Sequence, residues 1–139
     1  MVEIFHVDIT SIQPSQLYIS KKKLQEVQKS LNPKNRSLGI LIPIKEINGK
    51  TIFVDGHTRA VALYLLGEKT IPVYWEYEDL DWNAYENCVR WCEDEGVRSI
   101  TDLAKRIVSH EEYEQLWYKR CDELHVRLDL ERRNSNRSP

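Results

Sequence analysis

Apolar positions fall into short runs in the first half of the chain and into helical periods in the second. Residues 4–9 (Ile-Phe-His-Val-Asp-Ile) alternate loosely and predict a first strand. A turn or extended connection follows at Ile12-Gln13-Pro14-Ser15-Gln16, since Pro14 disfavours helix at the residue before it. Ser20 fits the N-cap of a helix through Leu31, with Leu24, Val27 and Leu31 on one face. Asn32 to Ser37, with Pro33, reads as a loop. The stretch from Gly39 to Glu46 holds Ile40-Leu41-Ile42-Pro43-Ile44, and Asn48-Gly49 after it is a two-residue hairpin signal. The return strand, Thr51 to Val54, crosses Asp55-Gly56 into an Ala/Leu-rich helix closed by Gly67. Thr70 to Trp75 is a further strand, in which Pro72 points to an edge or a strand start.

From Asp81 the pattern becomes helical. Asp81 caps a segment carrying Tyr85, Val89 and Cys92 and ending at Gly96. Ser99-Ile100-Thr101-Asp102 caps a short helix with Leu103 and Ile107 inward. Ser109-His110-Glu111-Glu112 is a capping box, and Tyr113, Leu116, Trp117 and Leu124 line one face of the helix after it. From about Glu131 no apolar anchor remains. The expected organisation is an α+β domain over residues 1–79, a three-helix extension packed on it over 80–128, and a disordered tail over 129–139.

Composition narrows the class. A 139-residue chain of net charge −2 and 41% hydrophobic residues suits one globular domain and argues against a non-specific coat for nucleic acid. No apolar run approaches a membrane span and no leader opens the chain, so the expectation is a cytoplasmic protein with Cys88, Cys92 and Cys121 as reduced thiols. Those cysteines, with His110 or His125, have zinc ligation as the alternative to core packing, although the usual short-loop pair is missing. Trp82, Trp91 and Trp117 are expected at the seam between the halves; Trp75 has two readings, packing or a wall of the ligand cleft. The Arg-containing tail reads as solvated, with nucleic-acid contact as the alternative.

The candidate chemistry sits at Asp55-Gly56-His57-Thr58-Arg59. A strand feeding directly into a helix leaves the first helical N–H groups unpaired, which favours a bound anion. Gly56 permits close backbone approach, while His57, Thr58 and Arg59 bring an imidazole, a hydroxyl and a guanidinium to the same helix mouth, so a phosphate site is expected there. The alternative is a plain turn followed by a solvated Arg59. Lys21, Lys22 and Lys23 begin the Ser20 helix, where each positive charge opposes the helix dipole by some tenths of a kcal/mol. A nearby phosphate would offset that conflict; a solvated lysine cluster is the other reading.

From Val7 to Trp75 the order of these elements and motifs resembles the ParB N-terminal/sulfiredoxin-like superfamily. The resemblance rests on Ile12-Gln13-Pro14, the Leu24/Val27 helix, the Gly39 to Ile44 stretch, Asp55 to Ala60, and Gly67 followed by Ile71-Pro72-Val73. It implies a mixed sheet with helices. Partition ParB proteins carry Gly-Glu-Arg-Arg, which binds CTP phosphates, where this chain has Gly56 to Arg59; sulfiredoxins carry Gly-Cys-His-Arg, and their catalytic cysteine is here His57. The free serine kinases carry Asp-Gly-His-His-Arg, from which this chain differs at Thr58 alone.

The resemblance implies a nucleotide (ATP, ADP or CTP) with Mg²⁺. Gly56, His57, Thr58 and Arg59 would hold its phosphates, together with Lys22, in whose region partition proteins place a basic residue. Asp55 would contact the metal, and Asp55, His57 and Gln16 would stand at the reacting centre. Gln16 occupies the position of the kinases' catalytic glutamate, and a carboxamide accepts no proton near neutral pH. Phosphotransfer to a small hydroxyl-bearing or protein acceptor, or NTP hydrolysis, therefore remains in view, while efficient free serine phosphorylation does not. The alternatives are a DNA-associated partition or regulatory module switched by nucleotide, and an inactive domain that recognises a protein partner.

Overall fold

The computed structural model describes residues 2–31 and 40–136. The loop expected at Asn32 to Ser37, Gly39, and residues 137–139 of the tail lie outside the described residues. The fold is mixed α+β.

Strand β1 is Phe5–Asp8, and after the Pro14 loop a two-residue strand β2, Ile19–Ser20, leads into α1, Lys21–Ser30. Ser20 caps α1 through the Lys23 amide, as its sequence predicts. Strand β3, Ile42–Ile47, turns at Asn48-Gly49, both left-handed (φ 51° and 80°), and returns as β4, Lys50–Phe53. Ile44 then lies opposite Phe53. Helix α2, His57–Leu65, follows, and β5, Thr70–Trp75, closes a four-stranded sheet of order β1-β5-β3-β4. The β5–β3 pair is parallel and the other two are antiparallel.

Pro72 was expected at an edge or strand start, yet β5 is bonded on both sides. The sheet tolerates it because pairing with β3 begins only at Val73, opposite Ile42, so β3 asks for no N–H from Pro72.

The second half shares this core rather than hanging from it. Helix α3, Trp82–Asp94, is capped by Asp81, and α4, Ile100–Leu103, packs against α2. Strand β6, Ile107–Val108, pairs in parallel with β2. Helix α5, His110–Tyr113, then runs without a break through a π-helical turn, Glu114–Tyr118, into α6, Lys119–Asn136. Tyr113 and Trp117 join the same apolar cluster as Ile42, Phe53, Val61 and Leu103. Trp91 and Trp117 meet edge to face at 6.2 Å, and Lys45 lies over Trp82, so these three tryptophans do form the seam. Trp75 packs on Phe5 instead.

Leu116 was expected inward and is 41% exposed. The wider π turn carries it outward while keeping Tyr113 and Trp117 inside. The tail also departs from expectation: α6 continues through residues assigned to disorder at 129–139, as far as Asn136. Leu128 is its last buried side chain among the described residues; Arg127 just before it pairs with Glu131, and Arg132 beyond it reaches Asp81 at 2.7 Å. Ion pairs hold that turn where apolar anchors are missing. No described helix is long and apolar enough to cross a membrane.

Candidate functional site

The site begins where β4 ends. Asp55 is exposed, and Gly56 takes a left-handed N-cap conformation (φ 78°, ψ 20°) that lets the chain turn at once into α2. No side chain caps this helix, and its first internal bond runs from the Ala60 N–H to the Gly56 carbonyl at 2.9 Å. The amides of His57, Thr58 and Arg59 therefore have no partner within the helix. Gly56 has a second role. A Cβ there would lie 2.9 Å from an Arg59 guanidinium nitrogen and 3.2 Å from the Ile42 side chain, so a larger residue would push the guanidinium from its place over the turn. In that pose Arg59 donates from Nη1 to the Leu41 carbonyl at 3.2 Å and keeps Nη2 3.9 Å from the Asp55 carboxylate. The guanidinium is thus held at the helix mouth with donors to spare.

His57 is buried, 4% exposed, and accepts the Ser15 backbone N–H on Nε2 at 2.9 Å. The Ser15 hydroxyl donates to the Phe53 carbonyl at 2.6 Å, which fixes the loop from the other side. Burial pushes the His57 pKa down to about 4, with the Asp55 charge pulling weakly the other way. A neutral ring that accepts on Nε2 carries its proton on Nδ1. His57, expected as a phosphate donor, is therefore first the clasp between the Pro14 loop and α2, with one N–H left to offer.

Gln16 stands beside it, half-buried. Its Nε2 donates to the Tyr18 carbonyl at 2.8 Å and to the Tyr113 hydroxyl at 3.2 Å, leaving Oε1 as an acceptor. Tyr113 in turn meets Tyr118, with ring centroids 4.8 Å apart, and Lys23 donates to the Tyr118 hydroxyl. Burial, then the Tyr118 neighbour, keeps the Tyr113 phenol well above its usual range, so it remains protonated. A polar string Gln16–Tyr113–Tyr118–Lys23 thus crosses from the first loop to the start of α1 by way of the C-terminal helix.

These groups wall a cleft of about 590 Å³ lined by Asp55, Gly56, His57, Thr58, Arg59 and Gln16 together with Lys23, Glu26, Tyr113, Trp117 and Tyr118. A smaller cavity of about 230 Å³ adjoins it, sharing Gln16, Asp55, His57 and Trp117 and lined further by Tyr85, Cys88 and Cys121. Of the residues expected here, Asp55 to Arg59 and Gln16 are brought together; Lys22 is exposed and not part of the wall, which Lys23 reaches instead. The lysine run signalled the region, and capping by Ser20 decides which lysine faces the cleft. Tyr113 and Tyr118 were not foreseen as site residues, because the π turn that presents both leaves no mark in helical spacing.

No cluster of three or more His, Cys, Asp or Glu side chains suited to a metal occurs among the described residues, and the cysteines are free thiols. Asp55, the carboxylate of the glycine turn, fits Mg²⁺ only in the mode where phosphates and water supply the other ligands.

No family model and no curated protein matches the chain. Among solved structures, the crystal structure of protein Atu1540 from Agrobacterium tumefaciens is similar, with a TM-score of 0.51 and 13% identity over 74% of this chain. The match spans 62% of that structure's length. The likeness is one of fold.

Proposed function

We propose that the large cleft binds a phosphate-bearing nucleotide on a ParB/sulfiredoxin-like domain. The observation that carries this is the uncapped first turn of α2, three amides without helical partners, with the Arg59 guanidinium folded over Gly56 beside them. Backbone N–H groups and Arg59 would donate to one phosphate group, and Lys23 would face a second. The volume of about 590 Å³ lies in the range of small-ligand sites. Asp55 would hold Mg²⁺ that the phosphates bring, and the ion would neutralise charge developing on them.

Phosphoryl transfer or hydrolysis follows as the activity of this site, with the smaller cavity receiving the hydroxyl-bearing acceptor or the attacking water next to Asp55 and Gln16. Gln16 would orient that group through Oε1 without taking its proton. The test is thermal unfolding with ATP, ADP and CTP, each with Mg²⁺, in wild type and Arg59→Ala. A rise in melting temperature in wild type that Arg59→Ala abolishes is expected. An equal rise in both proteins would put the anion elsewhere.

A further inference from the structure

Two thiols that the nucleotide reading leaves unused meet beside the smaller cavity. Cys88 lies on α3 and Cys121 near the start of α6, helices that pack in direct contact, and both line the cavity that reaches Asp55 and Gln16. Each is half-buried, so the pair is packed yet open to a small reagent through that cavity, whereas Cys92 is fully buried and lines no part of it. The two thiols also act on each other directly, Cys121 holding the Cys88 proton more tightly and Cys88 easing that of Cys121. We infer that Cys88 and Cys121 form a reversible intramolecular disulfide on exposure to a hydroperoxide, a modification that fastens α3 to α6 across the wall of the smaller cavity.

The surroundings divide the roles. The neighbouring Cys88 thiol favours the Cys121 thiolate and lowers its pKa, with Arg120 acting in the same sense and burial and Asp122 opposing. The Cys121 neighbour, then burial, holds the Cys88 proton in place. Arg120 is fixed nearby, over the Trp91 ring at 4.2 Å and paired with Glu95 at 3.0 Å. Cys121 is therefore the attacking sulfur and Cys88 the resolving one.

In the first step the Cys121 thiolate attacks one peroxide oxygen; the S–O bond forms as O–O breaks, giving a sulfenic acid and hydroxide. That hydroxide takes the Cys88 proton to become water. The Cys88 thiolate then attacks the sulfenic sulfur, S–S forms, S–O breaks, and hydroxide leaves. The two sulfurs lose two electrons and the peroxide gains them.

The experiment is a titration of the reduced native protein with hydrogen peroxide, followed by alkylation of remaining thiols and peptide mapping. The expected product has lost two hydrogens, links the Cys88 and Cys121 peptides, keeps Cys92 alkylatable, returns to the starting mass with dithiothreitol, and melts at a higher temperature than the reduced protein. Cys92→Ser should still form the link, and Cys121→Ser should not. A link through Cys92, a link between two chains, sulfinic acid without a link, three thiols still free, or a linked form that melts no higher would each overturn the inference. Because the readout contains no nucleotide, its failure is separate from failure of the phosphate site.

Discussion

Acidification should unlock the clasp between the Pro14 loop and α2 before it unfolds much else. His57 has a pKa of about 4 in the folded chain because burial resists its charge, against about 6.5 in an unfolded chain. Above the upper value both states hold a neutral ring and its packing against Phe53 counts in full. As pH falls below that value the unfolded chain takes up a proton that the folded chain refuses, so stability drops until the folded pKa is passed. The gap amounts to about 3 kcal/mol in total, of which about 2.5 kcal/mol is lost by about pH 4.5. That is a large share of the stability of an ordinary domain. Protonation also sets an Nε2–H against the Ser15 N–H, so the contact at 2.9 Å becomes donor against donor.

Urea unfolding of wild type and His57→Gln at neutral pH and at about pH 4.5 isolates the effect, since a glutamine carbonyl can still accept from Ser15 without titrating. Asp8 and Asp81, whose pKa values are lowered by hydrogen bonds from Thr10 and Arg132 (against burial, in Asp81), lose stability on acidification in both proteins and cancel in the difference. Wild type should lose about 2.5 kcal/mol more than the variant. Titration of the His57 ring by NMR in wild type should show a midpoint of about 4, far below the ordinary histidine value. Equal acid losses in the two proteins, or a His57 midpoint near the ordinary histidine value, would refute the reasoning.

Other outcomes follow from the same geometry. Gly56→Ala should destabilise the fold by roughly 1–2 kcal/mol, because a Cβ meets a left-handed backbone and the Arg59 guanidinium at once, and urea unfolding measures it. The same variant should weaken the nucleotide-dependent rise in melting temperature, because Arg59 must leave its place over the turn. Phe53→Ala removes a fully buried ring from the main core and should cost about 3–5 kcal/mol by the same measurement. Gln16→Glu should lower the melting temperature at neutral pH and leave the new carboxyl with a raised pKa, readable by NMR, because it would face the Tyr18 carbonyl 2.8 Å away.

Local structure was the legible part of this sequence. Ser20, Asp81, Asn48-Gly49 and Gly67 act where their chemistry says they should, since caps and tight turns depend on neighbours in the chain. Pro72 and Leu116 escaped for a different reason. Whether a strand is central, and whether a helix widens by one residue, depends on what packs beside it. The candidate site divides in the same way. Asp55 to Arg59 lie on one continuous turn and could be read together, whereas Lys23, Tyr113 and Tyr118 converge on it only through tertiary packing.

That convergence changes what Gln16 means. From the sequence it was expected at the reacting centre as a side chain that cannot act as a base. In the fold its amide spends both observed donations on the Tyr18 carbonyl and the Tyr113 hydroxyl, and a carboxylate has no N–H to give to either. Tyr113 stays protonated and is held by Tyr118 and, beyond it, by Lys23, so the glutamine is one end of a neutral hydrogen-bonded string that finishes in a cation. The carboxamide is thus matched to its neighbours, and the C-terminal helix that supplies them has become a wall of the cleft. A site built in this way draws Lys23 from the first helix and Arg59 from the second to one cleft, with Asp55 beside the glycine turn and Glu26 on the same helix as Lys23. Such a distribution suits holding a charged phosphate chain and its metal more than drawing a proton from an alcohol.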